Sequence, residues 1–273
     1  MIVRGPLHKM HTRLGQPVGY QLTLGNQSVQ LEQFLGQAIR IDWQGQINCV
    51  HCGRVTNKSF NQGYCYPCFR SLAQCDVCIV SPEKCHFAEG TCREPEWARQ
   101  HCFQPHIVYL SNTSGLKIGI TRQSQIPTRW IDQGARQAMA VIKVSERFHA
   151  GLVETAFKNY INDRTNWRNM LKDLYVEEDM PGVFNELWPK VSQALDDELL
   201  SQVEVIAGQE TPVRIDYPAH SFPSKITSLN LDKNPTVSGL LMAIKGQYLI
   251  LDSGVINIRK FAGYQVELET GQT

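Results

Sequence analysis

The sequence lacks a charge excess of either sign: 27 Lys and Arg face 26 Asp and Glu, which leaves +1 over 273 residues. A uniformly basic nucleic-acid binder and a strongly acidic chain are both excluded as whole-chain descriptions. No run approaches the ~20 apolar residues that cross a bilayer. The opening MIVRGPLHKMHTRLGQ has no apolar centre of the kind a secretory signal needs. These absences predict a soluble, cytoplasmic protein with no membrane partner. No cysteine lies before Cys49 or after Cys102, although the chain has nine. Without a secretory signal, a disulfide scaffold is a poor reading of that cluster. The H-x-E and P-C-x-x-C signature of zinc deaminases is missing as well; the nearest stretches read His86-Phe87-Ala88 and Pro67-Cys68-Phe69-Arg70-Ser71. No thioredoxin-like βαβ pattern surrounds the cysteine pairs, which argues against redox chemistry.

What the cysteines do offer is metal-ligand spacing. Cys49-Val50-His51-Cys52 and Cys65-Tyr66-Pro67-Cys68 are two CxxC pairs separated by twelve residues. Each pair can close on one ion, and four thiolates saturate a tetrahedral zinc. Gly53 permits the tight turn behind the first pair. Such a closed site is structural, because no coordination position is left for water. The second set, Cys75, Cys78, Cys85 and Cys92, offers four more sulfurs and leaves Cys102 over. His86 or His101 can replace one of them, and zinc and an iron–sulfur cluster both stay open here. One or two structural zinc ions are therefore expected. Lys58, Arg70 and Arg93 with Phe60, Tyr64, Tyr66, Phe69 and Trp97 make either a basic, aromatic surface or the cover of the metal sites.

Charge is segregated along the chain. From Trp97 to Asp173, Lys and Arg exceed Asp and Glu by six, whereas Leu174 to Glu210 carries an acidic excess of eight. The basic stretch holds the most legible local structure. His106 to Ser111 is apolar and β-branched, Asn112 to Gly115 has turn chemistry, and Leu116 to Thr121 alternates around Ile118 and Ile120. A β-hairpin is predicted. Pro127 suits a helix start, with a helix over Thr128 to Gln137, a third strand over Met139 to Val144, and a second helix from Gly151. In that helix Val153, Ala156, Phe157, Tyr160 and Ile161 share one face and Glu154 sits at its edge.

Strand, turn, strand, helix, strand, helix, with Val108-Tyr109-Leu110 in the first strand and Lys117-Ile118-Gly119 in the second, resembles the GIY-YIG nuclease core. The Lys-Ile-Gly form is similar to a phage-type subgroup of that superfamily. As a whole, the chain is similar to an uncharacterised bacterial family that joins a Cys-rich head to such a core. The resemblance implies a catalytic set of Tyr109, Lys117, Arg129 and Glu154. In it Glu154 holds one Mg²⁺ or Mn²⁺, Arg129 clamps a phosphate, and Tyr109 positions or deprotonates the attacking water. Lys117 stands where many members have a second tyrosine, and the opening glycine of the first motif is absent. Taken singly, Tyr109 reads as a core residue, Glu154 as a solvated helix residue and Arg129 as a surface cation. Their order on these elements makes them a candidate site. Asn162, Asn166 and Asn169 lie where some members use an asparagine.

The flanks read as β. Strand-like runs fill Met1 to Ile47, and six more follow Gly208, separated by Gly, Asp-Ser-Gly and Asn-Pro turns. Between core and C-terminal flank, Phe184, Leu187, Trp188, Val191, Leu195, Leu199 and Leu200 form the stripe of one amphipathic helix over Pro181 to Val203. Lys245-Gly246-Gln247-Tyr248 and Arg259-Lys260-Phe261 resemble basic–aromatic loops.

The expected fold class is α+β: a small three-stranded mixed sheet with helices, a zinc-knuckle module, and β-rich flanks closing as a barrel or sandwich. The expected segments are 1–47 (N-terminal β), 48–104 (Cys-rich), 105–175 (core), 176–205 (acidic amphipathic helix) and 206–273 (C-terminal β, which can take up 1–47). The expected function is action on DNA or RNA as a divalent-metal-dependent endonuclease. The alternative is a catalytically inactive nucleic-acid-binding or scaffold protein with structural zinc.

Overall fold

The computed structural model describes residues 1–209 and 211–271; Glu210, Gln272 and Thr273, all within the expected C-terminal β segment, lie outside the described residues. In the N-terminal flank, side-chain alternation sets the strands. Strands β1 (Ile2–Pro6), β2 (His11–Arg13), β3 (Gly19–Leu24) and β4 (Gln27–Gln30) are followed by the long β5 (Ala38–Asn48). In β3, Tyr20, Leu22 and Leu24 are buried and the residues between them are not. The head follows, with β6 (Val55–Thr56), α1 (Tyr66–Ser71), three short 3-10 turns and α2 (Pro95–His101).

The central sheet begins with β7 (His106–Asn112) and β8 (Leu116–Arg122), continues through α3 (Thr128–Asp132) to β9 (Gln137–Val144), and is followed by α4 (Arg147–Phe157) and α5 (Trp167–Leu171). Then come α6 (Met180–Ser192), α7 (Asp197–Leu200), β10 (Val203–Val205) and β11 (Val213–Arg214). The chain ends in β12 (Thr236–Lys245), β13 (Tyr248–Leu251), β14 (Gly254–Asn257) and β15 (Tyr264–Thr270).

The fold is α+β with antiparallel sheets throughout the named strands. This corrects the expected mixed sheet. The connection through α3 does carry the chain from β8 to a strand running the same way, β9. However, β9 lands beside β7, so the two parallel strands are never neighbours. The sheet also has five strands rather than three, because β10 and β11 both pair with β9.

The expected barrel is corrected too. The flanks build a seven-stranded sheet in the order β1-β15-β5-β12-β13-β14, with β6 on β5, and a separate sheet β2-β3-β4. Among the described residues no pairing joins β14 back to β1, so the sheet stays open. A bulge at Leu241/Ala243 lets β12 serve β5 with its first half and β13 with its second. Because β5 lies between β15 and β12, N- and C-terminal strands share one sheet.

Every residue of β7 is buried, because the strand divides two cores. Val108 and Leu110 face Val153 and Phe157 of α4, with Phe184 and Val191 of α6 beyond. Ile107 and Tyr109 instead join the core of the flanking sheets, with Trp130, Tyr217, Ile244 and Leu249. Phe157 stacks on Phe184 and Trp188 with ring centroids 6.3 Å away in each case. Burial of the Phe157 and Phe184 rings stabilises by roughly 1.5–3 kcal/mol each, with Trp188 half-buried beside them.

Helix boundaries differ from the periodicity. The first core helix stops at Asp132 rather than Gln137, because Gly134 takes a positive φ of 74° and turns the chain into β9. The second starts at Arg147 and ends at Phe157, leaving Tyr160 exposed. The expected single helix over 181–203 is two, since the chain leaves α6 after Ser192 and Asp196 caps α7 by accepting from Leu199 N at 2.7 Å.

Candidate functional site

Cys49, Cys52, Cys65 and Cys68 offer sulfurs that all lie within 4.8 Å of one another. The local backbone explains why. Gly53, at φ 73°, closes a turn in which its N–H donates to Cys49 O at 2.9 Å, so the first pair curls back on itself. Cys65 precedes α1, Pro67 occupies its first turn, and the helix carries Cys68 onto the same side. Cys52 Sγ and Cys65 Sγ are 3.8 Å apart. A tetrahedron of thiolates about 2.3 Å from zinc has edges of about 3.8 Å. The donor set and its spacing are thus compatible with a structural zinc. Burial, which raises a thiol pKa, is outweighed at Cys49 by the backbone groups of Cys52, Cys65 and His51, which pull it to about 6. Phe69 and Tyr64 pack on this cluster, and Phe60 stacks on Phe69 at 5.6 Å. These aromatics therefore cover the cysteines.

The second cysteine set divides. Cys75 packs with Cys49, Cys65 and Cys68. Cys78 instead comes within 4.8 Å of Asp76 and His86. Cys85, Cys92 and Cys102 lie around the same small cavity as Cys78. His101 stacks on Trp97 at 4.2 Å and faces the neighbouring groove.

Tyr109, Lys117, Arg129 and Glu154 all line one cleft of about 440 Å³ between β8, α3 and α4. Tyr109 lies directly opposite Gly119 in the hairpin. Its ring occupies the space that a side chain there would take: a Cβ on Gly119 would sit 2.7 Å from Tyr109 Oη. The hydroxyl donates to Gln133 Oε1 at 2.9 Å, and burial holds its pKa above a tyrosine's usual value. Lys117 lies two residues before Gly119, on the same face of β8. Burial and the Arg129 guanidinium push its pKa down to about 8. Glu154 is 9 % exposed, and burial raises its pKa. Lys158, one helical turn on, lies 3.3 Å from the Glu154 carboxylate and 3.4 Å from that of Asp163.

Four cationic groups in this cleft escaped the sequence reading, Lys9, Arg122, Arg147 and Lys158, and Arg259, read there as part of a basic–aromatic loop, joins them. Lys9 pairs with Asp132. Among the described residues, Lys117, Arg122, Arg129, Arg147 and Arg259 have no ion-pair partner. Burial lowers the pKa of Arg147 and of Arg259, where Arg129 adds to the effect. Desolvated like charges that face one another are costly, and an anion between them relieves that cost. A spacing signal for Arg147 exists, since it precedes Glu154 by two helical turns. Nothing in the sequence placed the Arg259 loop at this cleft, for it arrives from the far end of the chain. The same arginines border a second groove of about 630 Å³ that runs on to Tyr64, Trp97 and His101.

The remaining sequence candidates are used elsewhere. Asn162 O accepts from Ile118 N at 3.0 Å, and Asn166 caps α5 through Asn169 N at 3.3 Å. Lys245 is no exposed loop cation: it is fully buried, donates to Asp173 Oδ1 at 2.6 Å, and lies over the Tyr217 and Phe222 rings. Tyr248 stacks on Trp167, and Phe261 is in the core. No helix among the described residues is long and apolar enough to cross a membrane.

No curated protein and no solved structure matches the chain. A family model described as a protein of unknown function, DUF2797, matches residues 36–266, a span that runs from β5 into β15 and takes in the cysteine centre and most of the cleft. With most of its length inside that model, the chain belongs to the DUF2797 family of proteins of unknown function.

Proposed function

We propose that this protein acts on nucleic acid, hydrolysing a phosphodiester in the cleft that holds Tyr109, Lys117, Arg129 and Glu154. The observation that carries this reading is the group of unpaired, half-buried cations around those four side chains. The order of β7, β8, α3, β9 and α4 supports it through its resemblance to a GIY-YIG core. Arg129, Arg122 and Arg147 would hold the phosphoryl oxygens, where a guanidinium fork matches two of them. Tyr109 gives its proton to Gln133, so the lone pairs of its oxygen are left to the neighbouring Arg129 guanidinium or to a water in the cleft, which it would orient. Lys117, lowered to about 8, is a base that neutral pH keeps partly available. Water oxygen would bond to phosphorus, its proton would pass to Lys117 Nζ, and the sugar oxygen would leave with a proton from solvent.

Glu154 and Asp163 share the single ammonium of Lys158. Two carboxylates about one cation suit Mg²⁺ or Mn²⁺, which prefer oxygen donors. When bound, such an ion would neutralise charge on the phosphoryl oxygens. The same ion pair favours a second reading, in which Lys158 permanently satisfies Glu154 and the cleft binds nucleic acid without cutting it.

The test is cleavage of a DNA and RNA panel with Mg²⁺ or Mn²⁺, wild type beside Glu154→Gln. Cutting by wild type alone supports the hydrolase. Retained binding without cutting selects the binding module. Neither binding nor cutting overturns both readings.

A further inference from the structure

We propose a second thiolate-bound metal centre in the head, held by Cys78, Cys85, Cys92 and Cys102, which fastens the head to α4 and fixes Arg147 in the cleft. Its existence does not depend on what the cleft does.

The four cysteines line one cavity of about 20 Å³, together with Phe87, Trp97 and Phe103. A space of that size has room for roughly one water or ion. Phe87 and Phe103 meet edge to face at 4.6 Å beside it, so the sulfurs sit against apolar rings. Cys75, the other member of the second sequence cluster, packs with Cys49, Cys65 and Cys68. Removing it from the set leaves four thiols, a complete tetrathiolate shell. These sulfurs are more open than those of the first centre, for among the described residues no three of them lie within 4.8 Å of one another. A single zinc would draw them in by side-chain rotation. An iron–sulfur cluster, which spreads its thiolates over more than one iron, would suit the wider spread of sulfurs but needs the cavity to open beyond the room of one ion. The chemistry common to both is a soft metal bound by four thiolates.

The competing set is Asp76, Cys78 and His86. Asp76 is already engaged: its carboxylate accepts from Val77 N at 2.6 Å and pairs with Arg93 at 2.9 Å and His86 at 3.3 Å. A carboxylate with three partners has little left for a metal.

The segment needs a cross-link. Between Ala73 and Phe103 the buried apolar residues, cysteine apart, are only Ala73, Pro82 and Ala98. So small a core does not order about thirty residues, and metal–thiolate bonds supply folding energy where apolar burial cannot. The centre also reaches the cleft. Arg147 N donates to Cys102 O at 2.9 Å, and Arg147 Nη2 donates to Ile79 O at 2.6 Å. Both ends of this arginine are thus tied to a proposed ligand or its neighbour.

The experiment is metal analysis and visible absorption of the full chain purified without oxygen. Expected is a metal beyond the first zinc: either a second equivalent of zinc with no colour, or iron and sulfide with broad visible absorption. Cys102→Ser should lose that second metal and keep the first zinc, whereas Cys75→Ala and Asp76→Asn should keep both. A wild-type chain with one metal ion only overturns the proposal and needs no variant to fold. So does loss of the second metal from Asp76→Asn or Cys75→Ala with Cys102→Ser unaffected.

Discussion

Replacing Gly119 by alanine tests the packing that places Tyr109 in the cleft. A Cβ at this position would lie 2.7 Å from Tyr109 Oη, 2.8 Å from Cζ and 3.2 Å from Cε2. The ring cannot swing aside freely. It is fully buried, meets Trp130 edge to face at 6.1 Å, and is tied to Gln133. Overpacking of a filled core costs about 1–3 kcal/mol, and loss of the buried hydroxyl's hydrogen bond adds about 1 kcal/mol. Gly119→Ala should therefore destabilise by about 2–4 kcal/mol, read as a lower urea midpoint at unchanged slope. The same substitution in a Tyr109→Leu background, where the ring is gone, should cost below about 1 kcal/mol more than Tyr109→Leu alone. Strictly additive costs would refute the claim that these two residues share one space.

Three further outcomes follow from other sites. His106 is fully buried and burial lowers its pKa from 6.5 to about 4, with Nδ1 at 2.7 Å from Gln104 O. The unfolded chain binds the proton more readily, so stability is whole above pH 6.5 and falls as pH drops through 4, by on the order of 3 kcal/mol. Urea midpoints against pH should show this slope in wild type and lose most of it in His106→Phe. Asp173 receives Arg136 at 2.8 and 2.6 Å and the buried Lys245 at 2.6 Å. Asp173→Asn leaves Lys245 and Arg136 without that charge and should destabilise by about 3–5 kcal/mol in urea unfolding. If Lys117 is the base, the cleavage rate should rise about tenfold per pH unit well below 8 and level off above it. Lys117→Arg, which stays protonated, should abolish that rise; an unchanged profile would remove Lys117 from the chemistry.

Much of the local structure was legible in the sequence, because it rests on short-range patterning. The hairpin β7–β8 follows from β-branched runs around a turn whose Asn112 Oδ1 accepts from Gly115 N at 3.2 Å. Two CxxC pairs bring four sulfurs together because a turn and a helix start each present two thiols on one side. Long-range features were not legible. Strand β10 is only three residues long and takes its form from the edge of β9, and β11, which begins a strand-like run after Gly208, joins β9 and not the C-terminal flank. Arg259 enters the cleft from a 3-10 turn more than a hundred residues beyond Arg129, and no periodicity signals that meeting. Cys75 fits a CxxC pair with Cys78 on paper, yet the 3-10 turn at Ala73–Cys75 places it on the first cluster. Lys245 looked like a loop cation because the acid that buries it, Asp173, lies in another segment.

The most direct test of the cleft as a nucleic-acid site is the salt dependence of binding to a fluorescent single-stranded oligonucleotide, wild type beside Arg129→Gln. Wild-type affinity should fall linearly on a log–log plot of salt, and the variant should bind more weakly with a slope shallower by roughly 0.7–1. Equal affinity and equal slope in the two proteins would contradict the account and send the search for a ligand elsewhere in the molecule.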